Sequence, residues 1–449
     1  MISLLLPPSF CKRMKQQLGS EAEAFFACYT QPVQRGIRLN PLKCTAEKLA
    51  GLLPFELEQV PFSPLSYYAP ENFKAGQEPL HHAGAFYMQE PSASAAVTAL
   101  NPQPGERVLD LCAAPGGKST QIASLLNGQG MLWSNEIVRG RANILLSNIE
   151  RLGIRNAVVS SCQPEVLCSA LAGFFDRVLV DAPCSGEGMF RRDEGAVEEW
   201  TPEHATSCAI RQQAILESAV QAVRPGGVLT YSTCTFSPEE NEGVITEFLK
   251  RHPEFELKDT GLTSGRPALE KARRIYPMDG GEGHFVAVLQ HTGDSVVLPA
   301  ANTIKSSTAA AQLQKEIFRG ILPGIPAQFG EKLYLLPLGL PRLQGLGVLR
   351  AGILLGEEKP VHRKGASPRL EPAHAAFMAA KPEELNQCLS LAHDDPRTAA
   401  FLHGEEIEAP PTLKGYCGVA VEGITTGFGK CSSGNLKNHY PKGLRILGK

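Results

Sequence analysis

The fold of this chain is decided by one stretch, "VLDLCAAPGGKSTQIA" (residues 108–123). An apolar run ends in a turn that contains proline and glycine, and a helical pattern begins at Gly117. A strand, a glycine turn and a helix form a βα unit, and the backbone N–H groups at the start of such a helix bind polar groups of ligands. The stretch therefore predicts a cofactor-binding loop after a strand.

Strands and helices alternate regularly from this loop onward. The predicted strands are 107–111, 130–135, 156–160, 175–181, 226–232 and 284–290, and the predicted helices are 117–127, 139–152, 164–172, 203–223 and 238–251. This alternation predicts an α/β fold with a parallel sheet covered by helices on both faces. Ligands bind beyond the carboxyl ends of such strands, so the loops after the first, second, fourth and fifth strands are the candidate site.

The rest of the chain divides into further segments around this core. Two short helices within 8–30 and a strand at 36–40 indicate a small N-terminal α+β region, and breaks rich in small and polar residues separate two α+β or β units after the core. The predicted segments are an N-terminal region (1–80), the core (81–292), a linker (293–312), a small β-rich domain (313–370) and a C-terminal domain (371–449).

Composition limits what kind of protein this is. The chain has 449 residues, 43% hydrophobic and 20% charged, with a net charge of −2, which predicts several globular domains without a global basic surface. A nucleic acid would therefore have to bind local basic patches. The apolar run before Pro7 is too short for a signal peptide, and no stretch approaches a membrane span, so we expect a cytoplasmic protein with no membrane partner. None of the twelve cysteines forms a C-x-x-C pair, and we expect no metal site.

The loop at 108–123 resembles a triphosphate-binding loop only at first sight. That motif needs a glycine five residues before Gly117-Lys118-Ser119, where this chain has Cys112. A nucleoside-bearing cofactor is the favoured ligand, because Glu136 ends the next strand about 20 residues further on and can accept hydrogen bonds from ribose hydroxyls. A glycine turn that only packs the strand against the helix is the alternative.

Two cysteines follow neighbouring strands of the predicted sheet. Cys184 comes after the fourth strand in "RVLVDAPCSGEGMF", and Cys234 after the fifth in "GVLTYSTCTF". Methylation at C5 of a pyrimidine requires such a thiol, because a thiolate that adds to C6 makes C5 nucleophilic. Asp181 can hydrogen-bond the polar edge of the ring, and Lys118 can lower the thiol pKa or orient the base. Two small buried cysteines are the alternative, and the residues alone do not order the thiols.

Several long motifs together resemble one family. The chain is similar to the RNA 5-methylcytosine methyltransferases that use S-adenosylmethionine, and its end resembles the branch that contains bacterial 16S ribosomal RNA methyltransferase F. The similar blocks are "GIRLNPLK" (36–43), "DLCAAPGGKST" (110–120), "DAPCSGEGMF" (181–190), "YSTCTFSPEENEGVI" (231–245), "GGEGHFVAVL" (280–289) and "GKCSSGNLKNHYPKGLR" (429–445). The resemblance implies a Rossmann-like methyltransferase core, an RNA-binding N-terminal region and a PUA-like RNA-binding C-terminal domain.

The resemblance also implies roles for individual residues. Cys234 would be the nucleophile, and Cys184 would help to release the methylated product, with Asp181 and Lys118 beside them. The family usually has an acid near the adenine, where this chain has Gln163, so that contact is not predicted. The residues expected to hold S-adenosylmethionine are Cys112, Ala113, Ala114, Pro115, Gly116, Gly117, Lys118, Glu136, Arg141 and Asp181.

Basic residues gather at the end of the chain. Residues 424–449 contain five Lys or Arg and no acid, and the aromatic residues Tyr416, Phe428, His439 and Tyr440 are interleaved with them. Such a pattern suits stacking and phosphate contact with RNA, although a solvated charged tail is the alternative. Arg191-Arg192 are further candidates for phosphate contact, and the basic stretch 363–369 is as consistent with a linker.

These observations predict a methyltransferase that modifies C5 of a cytosine in ribosomal RNA, within the 16S molecule. We expect it to act as a monomer and to meet its RNA alone or within the small ribosomal subunit. Transfer RNA as the substrate is one alternative. A non-catalytic RNA-binding factor of ribosome assembly is the other, and the presence of Cys184, Cys234, Asp181 and Glu136 together argues against it.

Overall fold

The N-terminal region of the computed structural model folds around a small antiparallel sheet. The structure describes residues 6–293, 303–360 and 368–446. The elements of this region are α1 (Pro8–Leu18), α2 (Ala22–Ala27), β1 (Gly36–Leu39), α3 (Ala46–Leu52), β2 (Ser66–Tyr68), α4 (Pro79–His82) and β3 (Phe86–Met88). The strand order is β2-β1-β3. A boundary at residue 80 would divide this sheet, because β3 pairs with β1 as far as Met88. A three-residue strand is too short to show a period in the sequence.

The core contains the predicted alternation of strands and helices. Its strands are β4 (Arg107–Asp110), β5 (Met131–Asn135), β6 (Ala157–Ser160), β7 (Phe175–Asp181), β8 (Val223–Thr233), β9 (Phe255–Lys258), β10 (Arg266–Ala268), β11 (Ala272–Ile275) and β12 (His284–His291). Its helices are α5 (Ala95–Leu100), α6 (Gly117–Leu126), α7 (Arg139–Arg151), α8 (Pro164–Ala170), α9 (Glu194–Glu199), α10 (Pro202–Ala222) and α11 (Glu242–Arg251). The six predicted strands and five predicted helices are confirmed, with small shifts at their ends.

The central sheet is mixed rather than wholly parallel. Strands β6, β5, β4, β7 and β8 are parallel neighbours. β12 runs antiparallel to β8, so the prediction of a parallel strand at 284–290 is wrong. The reason is connectivity: β12 also pairs antiparallel with β11, which precedes it closely, and no helical crossover brings it back in the parallel sense.

Helices cover both faces of this sheet, as predicted. Consecutive strand residues alternate between two separate apolar clusters, with Val108 and Leu132 in one and Leu109 and Trp133 in the other. Successive side chains of a strand point to opposite faces, so both faces are buried. The indole N–H of Trp133 donates to Ser160 Oγ at 2.8 Å, which satisfies a polar group inside the core.

Two smaller sheets follow the core. The first has the order β13-β14-β16-β17 and the second the order β18-β20-β21-β22-β19. The elements are α12 (Thr308–Ile317), β13 (Ile325–Phe329), β14 (Lys332–Leu336), β15 (Val348–Ala351), β16 (Ile353–Lys359), β17 (Arg369–Pro372), α13 (His374–Met378), β18 (Cys388–Leu391), α14 (Pro396–His403), β19 (Ile407–Glu408), β20 (Gly415–Val421), β21 (Ile424–Ser432) and β22 (Asn435–Asn438). Two small C-terminal units of mixed α and β structure are thus present.

One strand of this C-terminal part joins the core. β15 pairs antiparallel with β6 and extends the central sheet beyond its parallel edge. Gly347 has a φ of 57°, and a Cβ there would lie 2.2 Å from Ser161 O, so the approach to the core requires glycine. The strand covers an edge that would otherwise expose unpaired backbone groups.

The predicted linker is shorter than expected. Residues 294–302 lie outside the described residues. α12 begins at Thr308 rather than after residue 312, because Ser307 Oγ caps it by accepting from the backbone N–H of Ala310 at 3.2 Å. Among the described residues, no helix has the length and apolarity needed to span a membrane.

A buried acid supports the loop that follows β4. Asp110 is fully buried, accepts a hydrogen bond from Ser119 Oγ at 2.7 Å, and thereby connects the end of the strand to the first turn of α6. Ser119 Oγ also lies 2.8 Å from Ser134 Oγ on β5. Burial raises the pKa of Asp110 to about 7, against the effect of the Ser119 hydrogen bond.

We expect Asp110 to make the stability of the protein depend on pH. Its folded pKa lies above the unfolded value of about 3.9, so its contribution is complete below pH 4 and is lost as the pH rises to about 7. The shift of about three units corresponds to at most about 4 kcal/mol. Urea unfolding at pH 5 and pH 8 should show a smaller loss of stability for Asp110→Asn than for the wild type. Equal losses in both proteins would contradict this assignment.

Candidate active site

The loop after β4 turns directly into α6 at the predicted position. Gly116 has a φ of 114° and precedes the first helical residue, Gly117. A Cβ at Gly116 would lie 3.1 Å from Leu145 Cδ1, so the turn packs closely against α7. The N–H of Ala113 donates to Asn135 O at 2.9 Å, which places the loop between β4 and β5. Backbone N–H groups at the start of a ten-residue helix thus face the carboxyl edge of the sheet.

Arg38 connects the N-terminal sheet to this loop. Its guanidinium is 1% exposed and donates to Gly117 O and to Thr120 Oγ1, both at 2.5 Å. It also bonds the side chain of Gln89. Burial lowers the pKa of Arg38 to about 9, so the group is charged at neutral pH. The sequence marked the block "GIRLN" but did not predict this contact, which only the fold brings about.

Glu136 and Arg141 lie together after β5. The Glu136 carboxylate is buried, accepts from the N–H of Val138 at 2.9 Å, and is 3.2 Å from Arg141 Nη1. Arg141 also donates to Ala114 O at 3.1 Å. The structure therefore brings these two predicted cofactor residues to the loop itself. Gln163, for which the sequence predicted no adenine contact, is exposed at the start of α8.

Lys118 and Asp181 form an ion pair across the site. Lys118 Nζ lies 2.8 Å from Asp181 Oδ2, and Ser232 Oγ donates to Asp181 Oδ1 at 2.7 Å. Burial alone would raise the pKa of Asp181, but Lys118 and His284 outweigh it, and the pKa is well below its usual range. Burial also opposes the charge on Lys118, but Asp181 outweighs it and raises the pKa of the amine. Both groups are therefore charged at neutral pH.

The two predicted cysteines are adjacent. Cys184 Sγ and Cys234 Sγ are 3.3 Å apart at the ends of the neighbouring strands β7 and β8. Both side chains are partly exposed, so a substrate can reach them. The hydrogen bond with Cys234 and burial both raise the pKa of Cys184 well above its usual value. Cys184 therefore stays a thiol at neutral pH and can donate to Cys234.

Cys112, the remaining predicted cysteine, lies in the loop after β4. Burial raises its pKa well above the usual value, and the nearby acids Asp110 and Asp181 add to the effect. It is therefore a neutral thiol beside the loop. This placement suits a packing role against a cofactor and not a second nucleophile.

A buried carboxylate that the sequence did not single out positions both cysteine loops. Glu240 accepts from the N–H of Ser185 at 2.9 Å, from Ser185 Oγ at 2.5 Å and from Gln212 Nε2 at 2.9 Å. Ser185 Oγ in turn lies 3.0 Å from Thr235 Oγ1. The residues that follow Cys184 and Cys234 are thus joined through one acid. Burial raises the pKa of Glu240.

Glu187 holds the same loops from the other side. It accepts from the N–H of Phe236 at 3.0 Å, from the indole N–H of Trp200 at 2.9 Å and from Arg13 at 2.6 Å. In the sequence, Glu187 and Glu240 could have been found only as acids within "SGEGMF" and "SPEEN". The presence of these acids in the sequence does not show which of them are buried.

His284 is a further residue that was not predicted from the sequence. It is 3% exposed at the first position of β12, and its Nε2 lies 3.8 Å from Asp181 Oδ1 with no hydrogen-bond partner among the described residues. Its Nδ1 lies 3.0 Å from Gly283 O, a carbonyl that can only accept, so Nδ1 carries a hydrogen. Nε2 is thus the ring nitrogen that lies beside Asp181.

One predicted RNA contact is wrong. The Arg191 guanidinium is buried, pairs with Glu282 at 3.0 Å and donates to Gln31 O and Pro32 O. Through these contacts, Arg191 joins the Cys184 loop to the N-terminal region. Arg192 is exposed, so the prediction of a phosphate contact stays open for that residue.

The basic end of the chain is folded rather than a loose tail. In the antiparallel sheet Tyr416 pairs with Lys430, and Lys430 pairs with Lys437, so the three lie side by side on one face. The Lys430 amine is 5.5 Å from the Tyr416 ring, and His439 packs edge-on against that ring. Like charges placed opposite each other destabilise a sheet, so the Lys430–Lys437 pair has a cost in the folded protein.

Two aromatic residues predicted to stack on RNA are part of the protein core. Phe428 is 3% exposed and stacks on Phe377 with ring centroids 4.4 Å apart. Tyr440 is also 3% exposed and packs against Phe401. Neither ring is exposed at the outer surface, because both pack against other side chains inside the C-terminal part of the protein.

Four family models match the chain in succession. They are described as the N-terminal domain of 16S rRNA methyltransferase RsmF (residues 6–91), 16S rRNA methyltransferase RsmB/F (97–290), the RsmF rRNA methyltransferase first C-terminal domain (312–379) and the methyltransferase RsmF PUA domain (388–446). The order and limits of these matches follow the units seen in the structure.

Individual proteins match over the same length. The ribosomal RNA small subunit methyltransferase F of Vibrio vulnificus is 33% identical, with 98% of each chain covered. The protein of that name from Klebsiella pneumoniae is 32% identical over 100% of this chain and 98% of its own. Among solved structures, a methyltransferase homolog protein from Pyrococcus horikoshii matches with a TM-score of 0.57 and 30% identity, covering 64% of this chain and 96% of that one. This chain therefore belongs to the family of 16S rRNA methyltransferases RsmB/F.

Proposed function

We propose that this chain transfers a methyl group from S-adenosylmethionine to C5 of a cytidine in 16S ribosomal RNA through a covalent adduct on a cysteine. The observation that carries this proposal is the pair of thiols 3.3 Å apart at neighbouring strand ends, next to the Lys118–Asp181 ion pair. Membership of the family supports the reaction and the ribosomal substrate. A non-catalytic assembly factor would not need this arrangement.

The residues around the loop fit S-adenosylmethionine. The buried Glu136 carboxylate stands at a strand end where ribose hydroxyls would donate to it, and Arg141 holds its orientation. The backbone from Cys112 through Ala113, Ala114, Pro115 and Gly116 to Gly117 would hold the methionine part at the start of α6. When bound, the cofactor supplies an electrophilic methyl group. Asp181 and Lys118 lie between this loop and the thiols.

Cys234 is the nucleophile of the proposed reaction. Its thiolate adds an electron pair to C6 of the cytosine, and the C5–C6 π electrons move onto C5. C5 then attacks the methyl group, whose bond to sulfur breaks with its electrons staying on sulfur, and S-adenosylhomocysteine leaves. Asp181 is ionised, so it accepts a hydrogen bond from the exocyclic amine of the base. Lys118 is charged and donates to the ring, which stabilises the electrons that arrive there.

Cys184 completes the reaction as a proton carrier. After methylation the C5 proton must leave, and the C6–S bond must break with its electrons returning to sulfur. The neutral Cys184 thiol can give its proton to the departing Cys234 sulfur across 3.3 Å, and the Cys184 thiolate formed then accepts the C5 proton. Cys234 is then a thiol, and it must lose the net proton of the reaction to solvent before the next turnover.

The row of Tyr416, Lys430 and Lys437 supports contact with RNA outside the active site. We further propose that the enzyme acts as a monomer in the cytoplasm, on RNA alone or in the small ribosomal subunit. A transfer RNA substrate is less favoured, because the four family models that cover the chain are models of ribosomal RNA methyltransferases or their domains.

The two thiols should have separable roles. With S-adenosylmethionine and small subunits or 16S RNA from a strain that lacks this gene, the wild type should form 5-methylcytidine, detected by bisulfite sequencing. Cys234→Ala should form none, because the proposed nucleophile is then missing. Cys184→Ala should accumulate protein bound covalently to RNA, visible as a denaturation-resistant band. A covalent band from Cys234→Ala instead would reverse the assignment.

Glu136→Gln should weaken the binding of S-adenosylmethionine by about tenfold to a hundredfold, because hydrogen bonds to a charged acceptor contribute about 1.5–3 kcal/mol. Calorimetry checks this value, and the affinity for RNA should stay within twofold of the wild type. Glu165→Gln is the matched control, since this acid is exposed at the start of α8. Equal effects of the two variants on the cofactor would count against the ribose role.

Replacing Lys430 and Lys437 together by Gln should weaken RNA binding and lower its dependence on salt. Each phosphate contact contributes about 0.7–0.9 to the slope of log affinity against log salt, so the magnitude of the slope should fall by about 1.4–1.8. The control is Lys250→Gln with Lys258→Gln, two exposed lysines that lie next to glutamates on the core. An unchanged slope, or the same change in the control, would exclude the row as an RNA contact.

A further inference from the structure

A cavity that the proposed reaction does not use lies between three parts of the chain. Its volume is about 600 Å³, and it is bounded by α4 of the N-terminal region, α7 of the core, α13 and the segment from Tyr440 to Leu444. Small-molecule sites commonly have volumes of about 300–1,000 Å³, so the cavity is large enough for one nucleotide. This space is called the interdomain cavity.

Two histidines of the interdomain cavity have unused hydrogen-bonding atoms. Nδ1 of His81 and Nδ1 of His374 are buried and have no partner among the residues that the structure describes. Burial lowers the pKa of both rings to about 3, so they are neutral at physiological pH. Buried polar atoms without partners are costly, which indicates that a polar ligand completes them.

The wall between these histidines is aromatic and fixed in advance. His82 Nε2 lies 2.9 Å from Gly76 O and must donate to it, so the neutral ring accepts at Nδ1 from the Tyr440 hydroxyl at 3.1 Å. His374 packs edge-on against Tyr440 with ring centroids 5.4 Å apart. A wall of rings in fixed orientations suits a planar heterocycle.

The charge of the cavity is positive. The Arg151 guanidinium donates to His81 O at 2.8 Å and Phe86 O at 3.2 Å, and it forms no ion pair within the described ranges. The acid in the wall, Glu150, is already paired with Arg350 at 2.7 Å. A cation without a carboxylate beside neutral rings suits a phosphate group next to a base.

Helix α7 connects the interdomain cavity to the active site. Arg141 and Asn148 on this helix donate to Ala114 O and Pro115 O of the cofactor loop, and Asn148 also lines the cavity. The helix rises about 1.5 Å per residue, so Arg151 lies about 15 Å along it from Arg141. Arg139, Arg141, Asn143 and Ser147 are exposed between the two sites, and the acid of the helix is the paired Glu150.

We propose that the interdomain cavity binds one unpaired nucleotide of the RNA substrate, on the same strand as the target cytidine. The base lies against the His82 ring, which the Tyr440 hydroxyl holds in orientation, and completes the hydrogen bonding of His81 and His374, and its phosphate faces Arg151. This proposal rests on the proposed function, which identifies RNA as the substrate. It would let the enzyme select a cytidine by a neighbouring nucleotide held at a fixed distance.

Filling the cavity tests this site. Ser147→Trp places a large ring into it from an exposed position of α7, and Ile144→Trp is the matched control, because Ile144 is 54% exposed on the same helix and does not line the cavity. With naked 16S RNA, Ser147→Trp should raise KM for RNA at least tenfold, with kcat and the affinity for S-adenosylmethionine within twofold of the wild type. Ile144→Trp should leave all three values within twofold.

A second variant and a direct binding measurement guard against misfolding. His374→Phe keeps an aromatic ring but removes Nδ1, so it should raise KM for RNA as well, with a thermal unfolding midpoint near that of the wild type. Titration of the full chain, saturated with S-adenosylhomocysteine, with AMP, GMP, CMP and UMP should show that the wild type and Ile144→Trp bind at least one nucleotide, and that Ser147→Trp loses this binding tenfold or more.

The possible failures are distinguishable. If the wild type forms no 5-methylcytidine in RNA, the proposed function fails, whereas the nucleotide titration still reports on the cavity. If the wild type methylates RNA and Ser147→Trp has the same KM as Ile144→Trp, the nucleotide site is wrong. A defect that is confined to assembled subunits and absent with naked RNA would place a ribosomal protein in the cavity and would also overturn the proposal.

Discussion

The ion pair between Lys118 and Asp181 is the interaction on which the site depends. Lys118 lies in the first turn of α6, directly after the loop that follows β4, and Asp181 ends β7, so their 2.8 Å contact joins the cofactor side of the site to the cysteine side. A buried charge without its partner is strongly destabilising, so each residue requires the other. The pair also keeps both groups charged, which gives the substrate base an acceptor and a donor side by side.

The 3.3 Å contact between the two thiols is lost if either cysteine loop moves. Glu240 and Glu187 hold these two loops together. Each is a fully buried acid in one cysteine loop that accepts a backbone hydrogen bond from the other loop, Glu240 from Ser185 and Glu187 from Phe236. Glu187 also receives Arg13 from the N-terminal helix α1, so that region helps to hold the chemistry in place, in addition to any contact with RNA. Preorganised groups of this kind cost no reorganisation during reaction.

Much of this arrangement could be predicted from the sequence, because it follows local periodicity. The strands of the core alternate with helices, and parallel strands deliver their carboxyl ends to one edge, which brings Cys184, Cys234 and Asp181 together. What the sequence did not show depends on contacts distant along the chain: the antiparallel sense of β12, the addition of β15 to the core sheet, and the burial of Phe428. Arg191 shows the same limit, since only the fold reveals that Glu282 neutralises it.

The C-terminal domain is held against the rest of the chain by a lysine of the N-terminal region. Lys43 Nζ donates to Ala83 O at 2.8 Å, to Thr425 O at 3.1 Å and to Arg151 O at 3.4 Å, and so meets all three parts of the molecule. Burial lowers the pKa of this amine well below its usual value, which three carbonyl acceptors compensate in part. Burying the Lys43 amine costs free energy, and such a cost is expected where the relative position of the domains matters. Under the proposed function, the row of Tyr416, Lys430 and Lys437 and the active site would be fixed with respect to each other before RNA arrives, and an RNA would have to reach both.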